Sequence, residues 1–106
     1  MDLAVWIYEI TRTYPHEEKF GITSQMRRAA TSIPANIAEG QARKTTGEFL
    51  QSLGIARGSL AELETFLTLS ERLGYLSEAT SASLLSTCIE INKMLHALIK
   101  SLSALR

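Results

Sequence analysis

Gln25 to Gly40 reads Q-M-R-R-A-A-T-S-I-P-A-N-I-A-E-G, and it carries two opposed stripes at helical spacing. Met26, Ala30, Ile33 and Ile37 recur at steps of four, three and four, while Gln25, Arg28, Ser32, Asn36 and Glu39 recur at three, four, four and three. An apolar stripe needs only a core to face. An ordered polar row opposite it, set among small residues, predicts a helix packed on both sides. The polar row is a candidate helix seam or oligomer seam, where buried polar groups must find partners and thereby fix register. In that reading Arg28 pairs with Glu39 or with a neighbouring subunit. Gly40 is placed to cap the helix in a left-handed conformation. Pro34 removes a backbone donor inside the helix and predicts a kink, at a cost of about 3 kcal/mol offset by packing.

The same periodicity extends outward in both directions. Leu3, Ile7, Ile10 and Tyr14 place a first helix over Asp2 to Thr13, stopped by Pro15. The second helix starts near Thr23 or Ser24 and ends at Glu39. Thr45 and Glu48 form a T-x-x-E capping box before a third helix with Phe49, Leu53, Ala56, Leu60, Leu63 and Leu67 on one stripe, closed by Gly74. Ser77 caps a fourth helix whose stripe runs through Leu84, Cys88, Ile91, Leu95, Leu98, Leu102 and Leu105. Leu85, Ile89 and Ile99 widen that stripe beyond the seam of a two-stranded coil. Four helices with short connections predict an all-α, antiparallel up-down-up-down four-helix bundle forming a single domain over residues 1–106. Helices three and four would each span roughly 40 Å and the first less than half of that, at ~1.5 Å per residue. The upper half of the long hairpin then needs either a covering subunit or a natural start upstream of Met1.

Composition narrows the function classes. Eleven basic and eleven acidic residues cancel, so any anionic partner must be held by a local patch. The lone Cys88 precludes an intramolecular disulfide, no leader is evident, and no apolar run reaches the ~20 residues of a membrane span; a cytoplasmic protein is expected. Arg27, Arg43, Lys44 and Arg57 are the candidate nucleic-acid contacts, since phosphate binding needs several cations converging on one side. Gly54 and Gly58 form G-x-x-x-G on the third helix, each at a cost of ~1 kcal/mol against alanine, and predict close approach of the alanine-rich second helix. Trp6 and Tyr8 lie off the main stripe of the first helix, where they would cover the flank or a subunit seam. His16 and His96 lack a second ligand at metal spacing, so no metal or cofactor is expected. Ser32, Asn36 and Glu39 have no histidine near them in sequence, and neither a nucleophile elbow nor a glycine-rich phosphate loop appears, which argues against an enzyme.

The block T-S-Q-M-R-R-A-A-T-S-I-P-A-N-I-A-E-G over Thr23 to Gly40, followed by E-F-L-Q-S-L-G-I-A-R-G-S-L-A-E-L-E and the turn R-L-G-Y-L, resembles one family. It is similar to the four-helix-bundle proteins encoded within intervening sequences of bacterial large-subunit ribosomal RNA genes, often misnamed ribosomal proteins. The resemblance implies a homopentameric ring. The accessory proteins of diversity-generating retroelements are similar in fold and bind nucleic acid through a basic surface. Members of the family usually carry a further helical turn or more before the position of Met1. The expected function is a non-enzymatic homo-oligomeric scaffold that binds RNA or DNA through a basic patch. The alternative is a protein–protein interaction module without nucleic-acid binding.

Overall fold

A computed structural model describes residues 1–105. It contains α1 (Asp2–Thr11), a short 3-10 turn (His16–Glu18), α2 (Ile22–Gln41), α3 (Thr46–Arg72) and α4 (Glu78–Ser103), and no strand among the described residues. The four helices form the expected antiparallel bundle, elongated to 46 × 24 × 18 Å. Two cross-helix contacts fix the α2/α3 register. Ser59 Oγ donates to Ser32 Oγ at 2.9 Å, and Ser70 Oγ lies 3.5 Å from Met26 Sδ.

Caps and turns follow local chemistry. Thr45 Oγ1 accepts from the Glu48 N–H at 3.1 Å, and Ser77 Oγ accepts from the Thr80 N–H at 3.1 Å, so α3 and α4 begin where hydroxyls satisfy free amides. At the other end of α3, Gly74 adopts φ 81° and the Tyr75 N–H reaches back to the Ser70 carbonyl at 2.9 Å, a Schellman closure. The chain leaves α1 two residues earlier than its apolar spacing suggests. Thr13 and Tyr14 make tight three-residue bonds to Ile10 and Thr11 before Pro15, which has no donor to continue the helix. α2 begins at Ile22 with Gly21 as its cap, since the 3-10 turn feeds directly into it and no side chain is recruited.

Gly40 corrects the expected left-handed cap. It lies inside α2, which continues to Gln41 and ends on the right-handed Ala42. A Cβ on Gly40 would sit 2.7 Å from Phe49 Cδ1 and 2.9 Å from Ser52 Cβ, so the glycine serves close packing of α2 on α3. Gly54 and Gly58 are corrected in the opposite sense. They were expected to admit α2, yet a Cβ on either would meet nothing within 4 Å. Pro34 sits within α2 and the helix runs through it to Gln41, leaving the Ala30 carbonyl without its usual donor.

Ile7, Met26, Leu53, Ala56, Leu60, Leu63, Leu67, Leu84 and Cys88 are fully buried, and α3 contributes five of these nine. At the lower end Tyr14 packs on Tyr75 with ring centroids 5.2 Å apart, and the Tyr75 hydroxyl donates to Glu18 Oε2 at 2.9 Å. Burial pushes the Cys88 thiol up to about 12, with the charge of Glu64 adding to the effect. The unfolded chain ionises its thiol near ~8.5, so stability present below that pH should fall as pH rises toward 12. At pH 8 the folded protein is expected to resist iodoacetamide and to alkylate only in denaturant; rapid labelling of the native state would contradict this packing.

Candidate functional site

The polar row of α2 lies along its groove with α3. Ser32 is the hub: its hydroxyl accepts from Ser59 Oγ and from Asn36 Nδ2 at 2.9 Å each, and its carbonyl accepts from the same amide at 2.8 Å. Arg28 is hydrogen-bonded to Gln25 and lies 3.9 Å from Glu62 of α3, not beside Glu39, which was one of its two expected partners, the other being a neighbouring subunit. Glu39 pairs instead with Arg43, one turn further on. The periodicity of α2 alone favoured Arg28 and Glu39 because both fall on one stripe. Eleven positions separate them, however, or about 16 Å of helical rise. The central members of the row are therefore satisfied within the chain, while the end toward Glu39 opens into a polar groove of about 380 Å³ lined by Asn36, Glu39, Arg43, Glu48 and Gln51. The amides of Asn36 and Gln51, the Ser52 hydroxyl and the Glu39–Arg43 pair give this groove hydrogen-bonding capacity without a histidine or thiol nucleophile.

The four candidate phosphate contacts face different ways. Arg27 is held against α1, with Nε donating to Thr11 Oγ1 at 2.9 Å and its guanidinium 4.6 Å above the Tyr8 ring. Arg43 and Lys44 are exposed in the connection that follows α2, whose last residue, Gln41, is about 21 Å of helical rise from Arg27. Arg57 lies on a third face, in the α3/α4 groove with Gly54, Gly58 and Asn92. One chain does not bring the four together. Sequence reasoning passed over the cations that do share Arg57's side: Lys93 and Lys100 are exposed and lie seven residues apart along α4. Their spacing was legible, but not which flank of α4 meets α3.

The apolar surface is uneven. α1 begins level with Pro34, Ile37, Ile91 and Met94, with which Met1, Leu3 and Ala4 line an apolar cavity of about 180 Å³. Leu98 and Leu102 are only half-buried, and Met94 and Leu105 are 70% and 74% exposed. No helix among the described residues is long and apolar enough to cross a membrane, and no group of three or more potential metal-ligating side chains occurs among them.

An antiparallel four-helix bundle with a polar α2/α3 seam defines a helical-bundle class. The sequence profile of the 23S rRNA-intervening sequence protein family matches residues 1–97, and the chain belongs to that family. A crystal structure from Bacteroides thetaiotaomicron VPI-5482 is similar. It is described as a protein of unknown function from the S23 ribosomal protein family. It is 31% identical, with 93% of each chain covered and a TM-score of 0.84. No curated protein matches the chain.

Proposed function

We propose that this protein is a non-enzymatic cytoplasmic scaffold that works as a homo-oligomer, a pentameric ring by resemblance to its family. The supporting observation is the large apolar side chains left about half exposed on the flanks of the helices. They are Val5 on α1, Ile55 on α3 and Ile89 on α4. Exposed large side chains are costly in a lone chain and mark an interaction surface. The satisfied hydrogen bonds around Ser32 support a structural role for the centre of the polar row. Its open end at Glu39 and Arg43 remains accessible to a partner.

Binding of RNA or DNA belongs to the assembled form in this reading. The faces of Arg27 and of Arg43 with Lys44 hold one and two of the candidate cations, and that of Arg57 gathers Lys93 and Lys100 beside it, whereas a ring repeats every face and gains by avidity. Native mass spectrometry at low salt, with and without a short structured RNA, tests both parts. A five-chain species is expected, gaining RNA mass on addition. A monomer at tens of micromolar would overturn the scaffold, and a pentamer that ignores RNA would leave protein–protein interaction as its role.

A further inference from the structure

We infer that the outer face of α1 in one copy docks antiparallel on the outer face of α4 in the next, with Asp2 opposite Lys100, Glu9 opposite Lys93 and Arg12 opposite Glu90. This rests on the self-assembly proposed above and specifies its seam.

The α1 surface is defined by what the core leaves out. Leu3, Ala4, Ile7 and Thr11 turn inward, so Asp2, Val5, Glu9 and Arg12, at steps of three, four and three, form the opposite side and are all exposed. Val5 remains 52% exposed between the two carboxylates. Trp6, half-buried, borders this row. Neither carboxylate joins an ion pair among the described residues.

The α4 surface has the complementary pattern. Leu84, Cys88 and Leu95 face the core, which leaves Glu90, Lys93, Ala97 and Lys100 outside, all exposed. From residue 91 to 105 there is no carboxylate. Asp2 and Glu9 are seven residues apart, as are Lys93 and Lys100, so both pairs span about 10.5 Å and close in one register. The same antiparallel register brings Arg12 to Glu90 and Val5 to Ala97, where a small side chain admits a branched one. A parallel arrangement matches the first two pairs but sends Arg12 past Lys100, where no carboxylate follows.

Direction and approach agree with this pairing. Within one copy α1 runs down the bundle and α4 runs up it, so copies sharing one orientation present α1 antiparallel to a neighbour's α4. Beside the α4 row lies the open groove of about 520 Å³ floored by Gly54, Gly58 and Ala61, so nothing on α3 obstructs an incoming helix. Arg57, Glu64 and Asn92 edge the groove, so its cation and its carboxylate balance and the positive charge of this side is that of the two lysines. The two surfaces are different patches of one chain, which makes the contact heterologous. Repetition of a heterologous contact closes into a ring when its rotation permits.

A charge-exchange series tests the seam. The oligomer is titrated by sedimentation velocity for the wild type, for Asp2→Lys with Glu9→Lys, for Lys93→Glu with Lys100→Glu, and for all four changes in one chain. Circular dichroism confirms that these exposed substitutions leave the helices intact. Each double variant is expected to dissociate at about tenfold higher concentration than the wild type, and the quadruple variant to return close to it. An oligomeric wild type whose double variants are unchanged, or a quadruple variant weaker than either double, would overturn this seam while leaving self-assembly standing. A monomeric wild type would overturn both.

Discussion

Leu60→Ala is expected to lower the unfolding free energy by about 2–5 kcal/mol. Leu60 is fully buried on the helix that packs against both α2 and α4, and its neighbours along the stripe, Ala56 and Leu63, are also at zero exposure. Truncation removes three carbons from a site closed on every side. The loss therefore combines the transfer free energy of those atoms with the void left behind. A domain of this size has about 5–15 kcal/mol in total, so the variant should approach the threshold for folding near body temperature. Urea titration followed by circular dichroism, at one fixed protein concentration because assembly shifts the apparent midpoint, measures the loss. Leu98→Ala provides the comparison. That residue is half-buried above the start of α1, and its truncation should cost the isolated chain markedly less. Equal losses at the two positions would mean that the upper bundle is as well packed as its middle.

The contrast between those leucines marks how far the sequence could be read. Four helices, the Thr45 and Ser77 caps, the Gly74 turn and the core stripe of α3 all follow from spacing and local hydrogen-bond chemistry, because each is decided within a few residues. Where reading failed, the deciding contact came from another helix. Gly40 looked like a C-cap because glycine after an apolar run usually is one; the reason it is tolerated inside α2 is Phe49 and Ser52, which sit on α3. Gly54 and Gly58 looked like a packing motif, but a G-x-x-x-G spacing says only that one face is small, not that another helix of the same chain lies on it. The polar row of α2 was legible as a stripe, and its division into satisfied centre and open end was not, since Ser59 and Glu62 enter it from α3. The scatter of Arg27, Arg43, Lys44 and Arg57 has the same origin: convergence of charges is a property of packing.

Gly40→Ala is expected to destabilise the fold by about 1–3 kcal/mol, although alanine is the better helix former. The added methyl would meet Phe49 Cδ1 at 2.7 Å and Ser52 Cβ at 2.9 Å. Ser52 Cβ is tied to the α3 backbone and cannot swing aside, and Cδ1 is near the base of its ring, so relief requires α2 and α3 to separate near their junction. That strain exceeds the roughly 1 kcal/mol that helix propensity returns. The same substitution at Gly54 or Gly58 should have the opposite sign, raising stability by about 0.5–1 kcal/mol each, because the new methyl enters open space and only the propensity gain remains. Thermal melts of the three single variants decide the matter without reference to function. Destabilisation at Gly58 in the monomer would place a neighbour over α3 within the chain. A stabilised Gly40→Ala would show that the α2/α3 junction yields, and with it the register that sets the polar row of α2 against Ser59 and Glu62.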